Sequence, residues 1–87
     1  MDFSVPEDMV MDQIEAGVWR SEAEGENAWV LSLNAQNGTA VLSNSANEIS
    51  WEGIAVCEDG ILVRLEFGEL IYRVSVEKSG IRLIVEG

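Results

Sequence analysis

A chain of 87 residues has room for one domain, and 47% apolar residues are too many for intrinsic disorder even at a formal net charge of −11. One cysteine, Cys57, and no histidine exclude a disulfide framework and a Cys/His zinc site. A field of this sign repels nucleic acid and anionic membrane and attracts basic partners.

The N-terminal stretch predicts a short helix over 4–16. Ser4 and Glu7 have capping-box spacing, Pro6 sits in the first turn, and Gly17 can end the helix. Val10 and Ile14 lie four residues apart with Met11 beside them, a narrow apolar stripe that can dock on a core. The same stretch lacks the basic start and unbroken apolar run of a signal peptide, and no apolar run in the chain approaches the ~20 residues that cross a bilayer. With a lone thiol, the expected location is cytoplasmic, without membrane contact.

From Gly17 to the end (17–87) the apolar period changes to two and turn signals recur: Asn37-Gly38, Asp59-Gly60, Gly68-Glu69 and Ser79-Gly80. Each is a two-residue hairpin candidate, and each fixes a register. Leu33 falls opposite Leu42 and Ala35 opposite Ala40. Val56 meets Val63 and Ile54 meets Leu65. Phe67 meets Leu70, Leu65 meets Tyr72, and Val63 meets Val74. Val76 meets Leu83 and Val74 meets Val85. All four hairpins put their large apolar residues on one face, so Leu65, Val63, Tyr72 and Val74 are expected as buried neighbours, with Ile61 also inside. The opposite face is mixed: Leu62, Ile71 and Ile84 stand among Arg64, Glu66, Arg73, Glu77 and Arg82, with Cys57 there as well. On it Glu77 should pair with Arg82, whereas Arg64 and Arg73 should face each other with like charge unless Glu66 lies between them.

In "NEISWEGIAVCE" the apolar phase passes from Ile49 and Trp51 to Ile54 and Val56, which predicts a bulge or bend at Gly53. Counting "GVWRSE" and "AWVLSLNA", about seven strands are expected, within a range of roughly six to eight. The fold class is mainly β: one domain over 1–87, an antiparallel up-and-down meander curled into a small barrel or half-barrel and capped by the N-terminal helix.

Gly17-Val18-Trp19 at the start of the first meander strand, behind a short helix, resembles the lipocalin-like (calycin) proteins. The resemblance implies that Trp19 packs at the closed end of a barrel under a basic side chain from a late strand, for which Arg82 is the candidate. It also implies a small apolar ligand, with Trp19, Trp29, Trp51 and Tyr72 as the lining residues. The number of large side chains claiming the interior points instead to a filled lumen, because a barrel of about seven short strands packs to a density of ~0.75.

The chain shows no serine nucleophile with a base in view, no glycine-rich phosphate loop and no metal-ligand spacing, so no catalytic, cofactor or metal residue is expected. Cys57, beside Glu58 and Asp59, lacks the electropositive surroundings of a reactive thiolate. Charge is uneven: residues 1 to 26 carry eight acids against Arg20 alone. Glu22, Glu24 and Glu26, with Asp12 and Glu15, are the candidate contacts for a basic protein. The expected function is a non-enzymatic binding or inhibitor protein of the immunity-protein or nucleic-acid-mimic type. The alternatives are lipocalin-like binding of a small apolar ligand, or a homodimerising structural domain with no separate partner.

Overall fold

Eight antiparallel strands, each paired with the next and the last with the first, close into a barrel. In chain order they are β1 (Asp8–Glu15), β2 (Val18–Ser21), β3 (Val30–Asn34), β4 (Thr39–Asn44), β5 (Ile49–Glu58), β6 (Ile61–Phe67), β7 (Leu70–Val76) and β8 (Gly80–Val85). The computed structural model describes residues 8–21, 28–34, 36–44, 48–78 and 80–86. No helix among them is long and apolar enough to cross a membrane.

The meander is thus a closed barrel of eight strands rather than about seven, and the added strand takes the place of the predicted helix. Residues 8–15 are extended, while 4–7 lie outside the described residues. The segment reads as well at period two as at period four, since Met9 and Met11 are buried while Asp8 faces solvent. Tertiary context decides between the two. β1 pairs with β2 through Met11↔Ser21 and with β8 through Met9↔Leu83 and Met11↔Ile81. A helix there would leave two strand edges with unmade backbone hydrogen bonds, whereas a strand satisfies both.

The turns fall into two groups. Asp59 and Gly60 both have positive φ, as a type I′ hairpin requires, and Gly68 alone does so in its turn, as type II′ requires. Around Gly68-Glu69 the register is as read from the sequence, with Phe67↔Leu70 and Leu65↔Tyr72. Around Asn37-Gly38 and Ser79-Gly80 the register differs from the expected one by two residues. Leu31 rather than Leu33 meets Leu42, Leu33 meets Ala40, Val74 meets Leu83, and Val76 meets Ile81. A shift of two keeps every side chain on its face, so the inward set of β3, β4 and β8 survives the change.

The predicted bulge lies elsewhere. β4 and β5 pair without interruption from Thr39↔Ile54 to Asn44↔Ile49, so Ile49, Trp51, Gly53 and Ala55 share one inward phase. The irregularity is on β6. Val56↔Arg64 is followed by Cys57↔Leu62, which leaves Val63 as the extra residue. Ala55, not Ile54, therefore meets Leu65, and Ile54 is turned out to 56% exposure. Ile61 and Val76 are likewise exposed, Val63 is only half-buried, and Leu62 packs against the core instead of facing solvent. Cys57 follows the inward phase of Ala55, but at the exposed tip of the hairpin.

The core is built from Met9, Met11, Trp29, Leu31, Ala40, Leu42, Leu65, Phe67, Tyr72, Ile81 and Leu83, with Val74 half-buried against it. Closure is tight where β8 meets β1: Gly80 lies opposite Asp12, and a Cβ at that position would overlap the carbonyl oxygen of Met11. On the outer surface Arg82 spans the same seam. Its Nε donates to Glu77 Oε1 at 2.7 Å and its Nη1 to Asp8 Oδ2 at 3.0 Å. Glu77 and Asp8 together raise the guanidinium pKa above its ordinary value. Arg64 faces Arg73 across β6 and β7, as expected, and Glu66 takes Arg64 at 2.7 Å.

Candidate functional site

The inward alternation of β2, β5 and β7 brings Trp19, Trp51 and Tyr72 into or beside the core, and Trp29 joins them from the residue just before β3, but the four do not make one cage. Tyr72 is fully buried and meets Phe67 edge-on, with centroids 6.4 Å apart at 76°. Trp29 is nearly as buried and stacks on Trp51 at 5.5 Å and 27°. Trp19 is half-buried against the core. Arg82, which the family resemblance would set over Trp19, directs its guanidinium to Asp8 and Glu77 on the outer face. Trp29 and Tyr72 are therefore core residues, as the packing argument implied.

Burial has a titration consequence for Tyr72. Loss of hydration pushes its hydroxyl up to about 12 from an ordinary value of 10.0. Below pH 10 the phenol is neutral in both the folded and the unfolded chain, and its contribution is intact. Between pH 10 and 12 the unfolded chain ionises first, so stability falls by up to about 3 kcal/mol across the window. Tyr72→Phe should remove that loss. The check is the denaturation midpoint of both proteins at pH 9, 10, 11 and 12, where their difference should narrow or reverse as pH rises.

Trp51 differs from the other three because it also borders open space. A cleft of about 510 Å³ is lined by Ser50, Trp51, Glu52, Phe67, Gly68 and Leu70. Trp51, Phe67 and Leu70 come from the inward phase of their strands, and Ser50 and Glu52 from the outward phase of β5. The cleft thus opens where the barrel rim turns from core to surface at the β6–β7 turn. Gly53 lets the two strands approach there, since a Cβ on it would overlap Glu66 and Phe67. A second hollow, of about 480 Å³, lies along β4 and β5 between Asn37 and Ile54, and Glu52 borders it too. Sequence reasoning named Trp51 but not Glu52, Phe67 or Leu70 as its companions. No local signal marks where one strand outruns its neighbour.

Of the acidic candidates, Glu15 is exposed at the end of β1, and Asp12 is half-buried opposite Arg20 and Gly80. Glu22, Glu24 and Glu26 lie outside the described residues. The residues that flank them are joined twice: the Trp29 N–H donates to Ser21 Oγ at 2.8 Å, and the Ser21 N–H donates to the Trp29 carbonyl at 2.9 Å. Elsewhere Glu48, Glu52, Glu58, Asp59, Glu69 and Glu86 are exposed, and none of them forms an ion pair with a described basic residue. By contrast Arg64, Arg73 and Arg82 share the outer face of β6, β7 and β8. Comparison with protein-family models, curated proteins and solved structures finds no match to this chain, and the barrel with its rim and surface carries the functional reading.

Proposed function

We propose that this is a non-enzymatic binding or inhibitor protein that meets a basic protein partner through its acidic surface, in the manner of an immunity protein or a nucleic-acid mimic. The observation that supports it is the state of the acids. Glu15, Glu48, Glu52, Glu58, Asp59, Glu69 and Glu86 stand exposed without a described cation beside them, on a barrel whose inward side chains are taken up by its own core. Such charges contribute little to folding but much to the encounter with an oppositely charged protein. A reducing, cytoplasmic setting suits the exposed thiol of Cys57.

The test is capture of the partner from the source cell's extract with elution on a salt gradient, followed by association kinetics. Neutralising Glu22, Glu24 and Glu26 together to Gln should slow association by about tenfold at low salt and change it little at high salt, where screening already removes steering. An unchanged on-rate at low salt would leave those three acids as solubilising groups. A second reading, lipocalin-like binding of a small apolar molecule, is favoured by the cleft at Trp51, whose volume of about 510 Å³ is that of a ligand pocket. Its affinity would be insensitive to salt. Self-association without a separate partner would instead use the exposed Ile14, Ile54, Ile61 and Val76, and would strengthen as salt screens the −11 charge of each copy.

A further inference from the structure

The cleft at Trp51 is bordered by a strand edge as well as by apolar side chains. The β5–β6 ladder ends at Ile54↔Glu66, yet β5 continues to Ile49, held on its other side by β4 as far as Asn44↔Ile49. The Ala55 N–H donates to the Gly38 carbonyl at 2.8 Å, which turns the backbone groups of odd-numbered β5 residues toward β4. Strand alternation then turns those of Ser50 and Glu52 the other way, into the cleft that these two residues line. Among the described residues no strand lies beside them. Proteins blunt such an edge or use it to take up another chain.

The surroundings select what kind of chain. The floor is Trp51, Phe67 and Leu70, and the outward carboxylate is Glu52. Glu69 sits between the lining residues Gly68 and Leu70, Glu48 lies two residues before Ser50, and both are exposed. A strand laid along Ser50 and Glu52 would present alternate side chains to the apolar floor and to the acidic outer face. The geometry points to a docking site for an extended segment of a basic protein that alternates apolar with Lys or Arg residues and adds to β5 as a short strand. This rests on the basic-partner reading and specifies where, and in what conformation, that partner is held. A second copy of this chain does not fit the requirement, because none of its five basic residues stands two positions from another.

The probe is a fluorescent Lys-Val-Lys-Phe-Lys-Val-Lys peptide, together with a version carrying Glu for every Lys and two versions N-methylated on one or the other alternate set of amides. The lysine peptide should bind at low salt and the glutamate peptide should not. In an added strand only one set of amides faces β5, so one methylated peptide should bind at least tenfold more weakly and the other about as well as the parent. The Ser50 and Glu52 amides should gain protection from hydrogen exchange, and Glu52→Lys, with an unchanged melting temperature, should weaken binding at least tenfold. Equal binding of both methylated peptides without protection at Ser50 and Glu52 overturns the docking site and leaves the basic-partner reading standing. Failure of the lysine peptide to bind, while the salt-eluted partner is still captured, does the same. Failure of both overturns the reading as well. Binding of indole in the cleft in place of the peptide assigns the cleft to a small ligand and overturns the proposal.

Discussion

Leu65→Asp is expected to leave the chain without a stable fold at 25 °C, seen as loss of a cooperative melt and of the strand signal in circular dichroism. Leu65 is fully buried and sits between Ala55 on β5 and Tyr72 on β7, inside a cluster made of apolar side chains. A carboxylate there has no cation to meet, and either it stays charged at high cost or it forces its own protonation. Both cost several kcal/mol. A domain of 87 residues has a total stability of about 4–13 kcal/mol, so the substitution consumes most or all of it. Val63→Asp separates the observed register from a regular one. Continuous pairing would bury Val63 as deeply as Leu65, but as the extra residue of the bulge it is only half-buried, and its variant should still fold. Equal damage from both substitutions would refute the bulge.

Gly80→Val is expected to open the seam where the barrel closes. The backbone dihedral of Gly80 is not the difficulty. The obstacle is that its missing Cβ would occupy the place of the Met11 carbonyl oxygen and press on Asp12. Main-chain atoms cannot turn aside as a side chain can, so β8 and β1 must separate at Asp12↔Gly80. Overpacking of this kind costs about 1–3 kcal/mol or more, and each kcal/mol lowers the melting temperature of so small a domain by about 4–8 °C. The amides of Met9 to Asp12 should exchange faster than in the wild type, since β1 is the strand released. Gly60→Ala is the control. Gly60 has φ +79° with nothing near its absent Cβ, so its variant should lose only about 1–2 kcal/mol of left-handed strain and leave exchange in β1 unchanged.

The two kinds of turn show why part of the fold was legible. Asp59-Gly60 and Gly68-Glu69 need positive φ at particular residues, a demand that the residue types themselves express, and both turns form as read; the Gly68-Glu69 register follows, whereas beyond Cys57↔Leu62 the bulge moves the Asp59-Gly60 register by one residue. At Asn37-Gly38 and Ser79-Gly80 the pairing moved by two residues. Nothing in the alternation opposes such a move, because it returns every side chain to the same face. The bulge is hidden for a related reason: in "ILVRLEF" three consecutive apolar residues allow the phase to break at Val63 without exposing a charge inside or burying one. Of the four candidate aromatics, Trp29 and Tyr72 proved to be core and Trp51 to border the cleft, a difference in rim position that the residue type does not carry.

Alternation and turn chemistry are local properties, and from them the chain by itself determined an all-antiparallel meander, the inward face of β3, β4, β7 and β8, and the pairing of β6 with β7. Closure belongs to the tertiary structure alone. Residues 8–15 are compatible with either a helix or a strand, and what decides is the pair of edges on β2 and β8 that only the assembled sheet presents. The cleft has the same origin. β5 outruns β6 by the residues from Ile49 to Gly53, and the space beside Ser50 and Glu52 exists because two neighbouring ladders end at different heights on the barrel rim, a relation that no stretch of sequence contains.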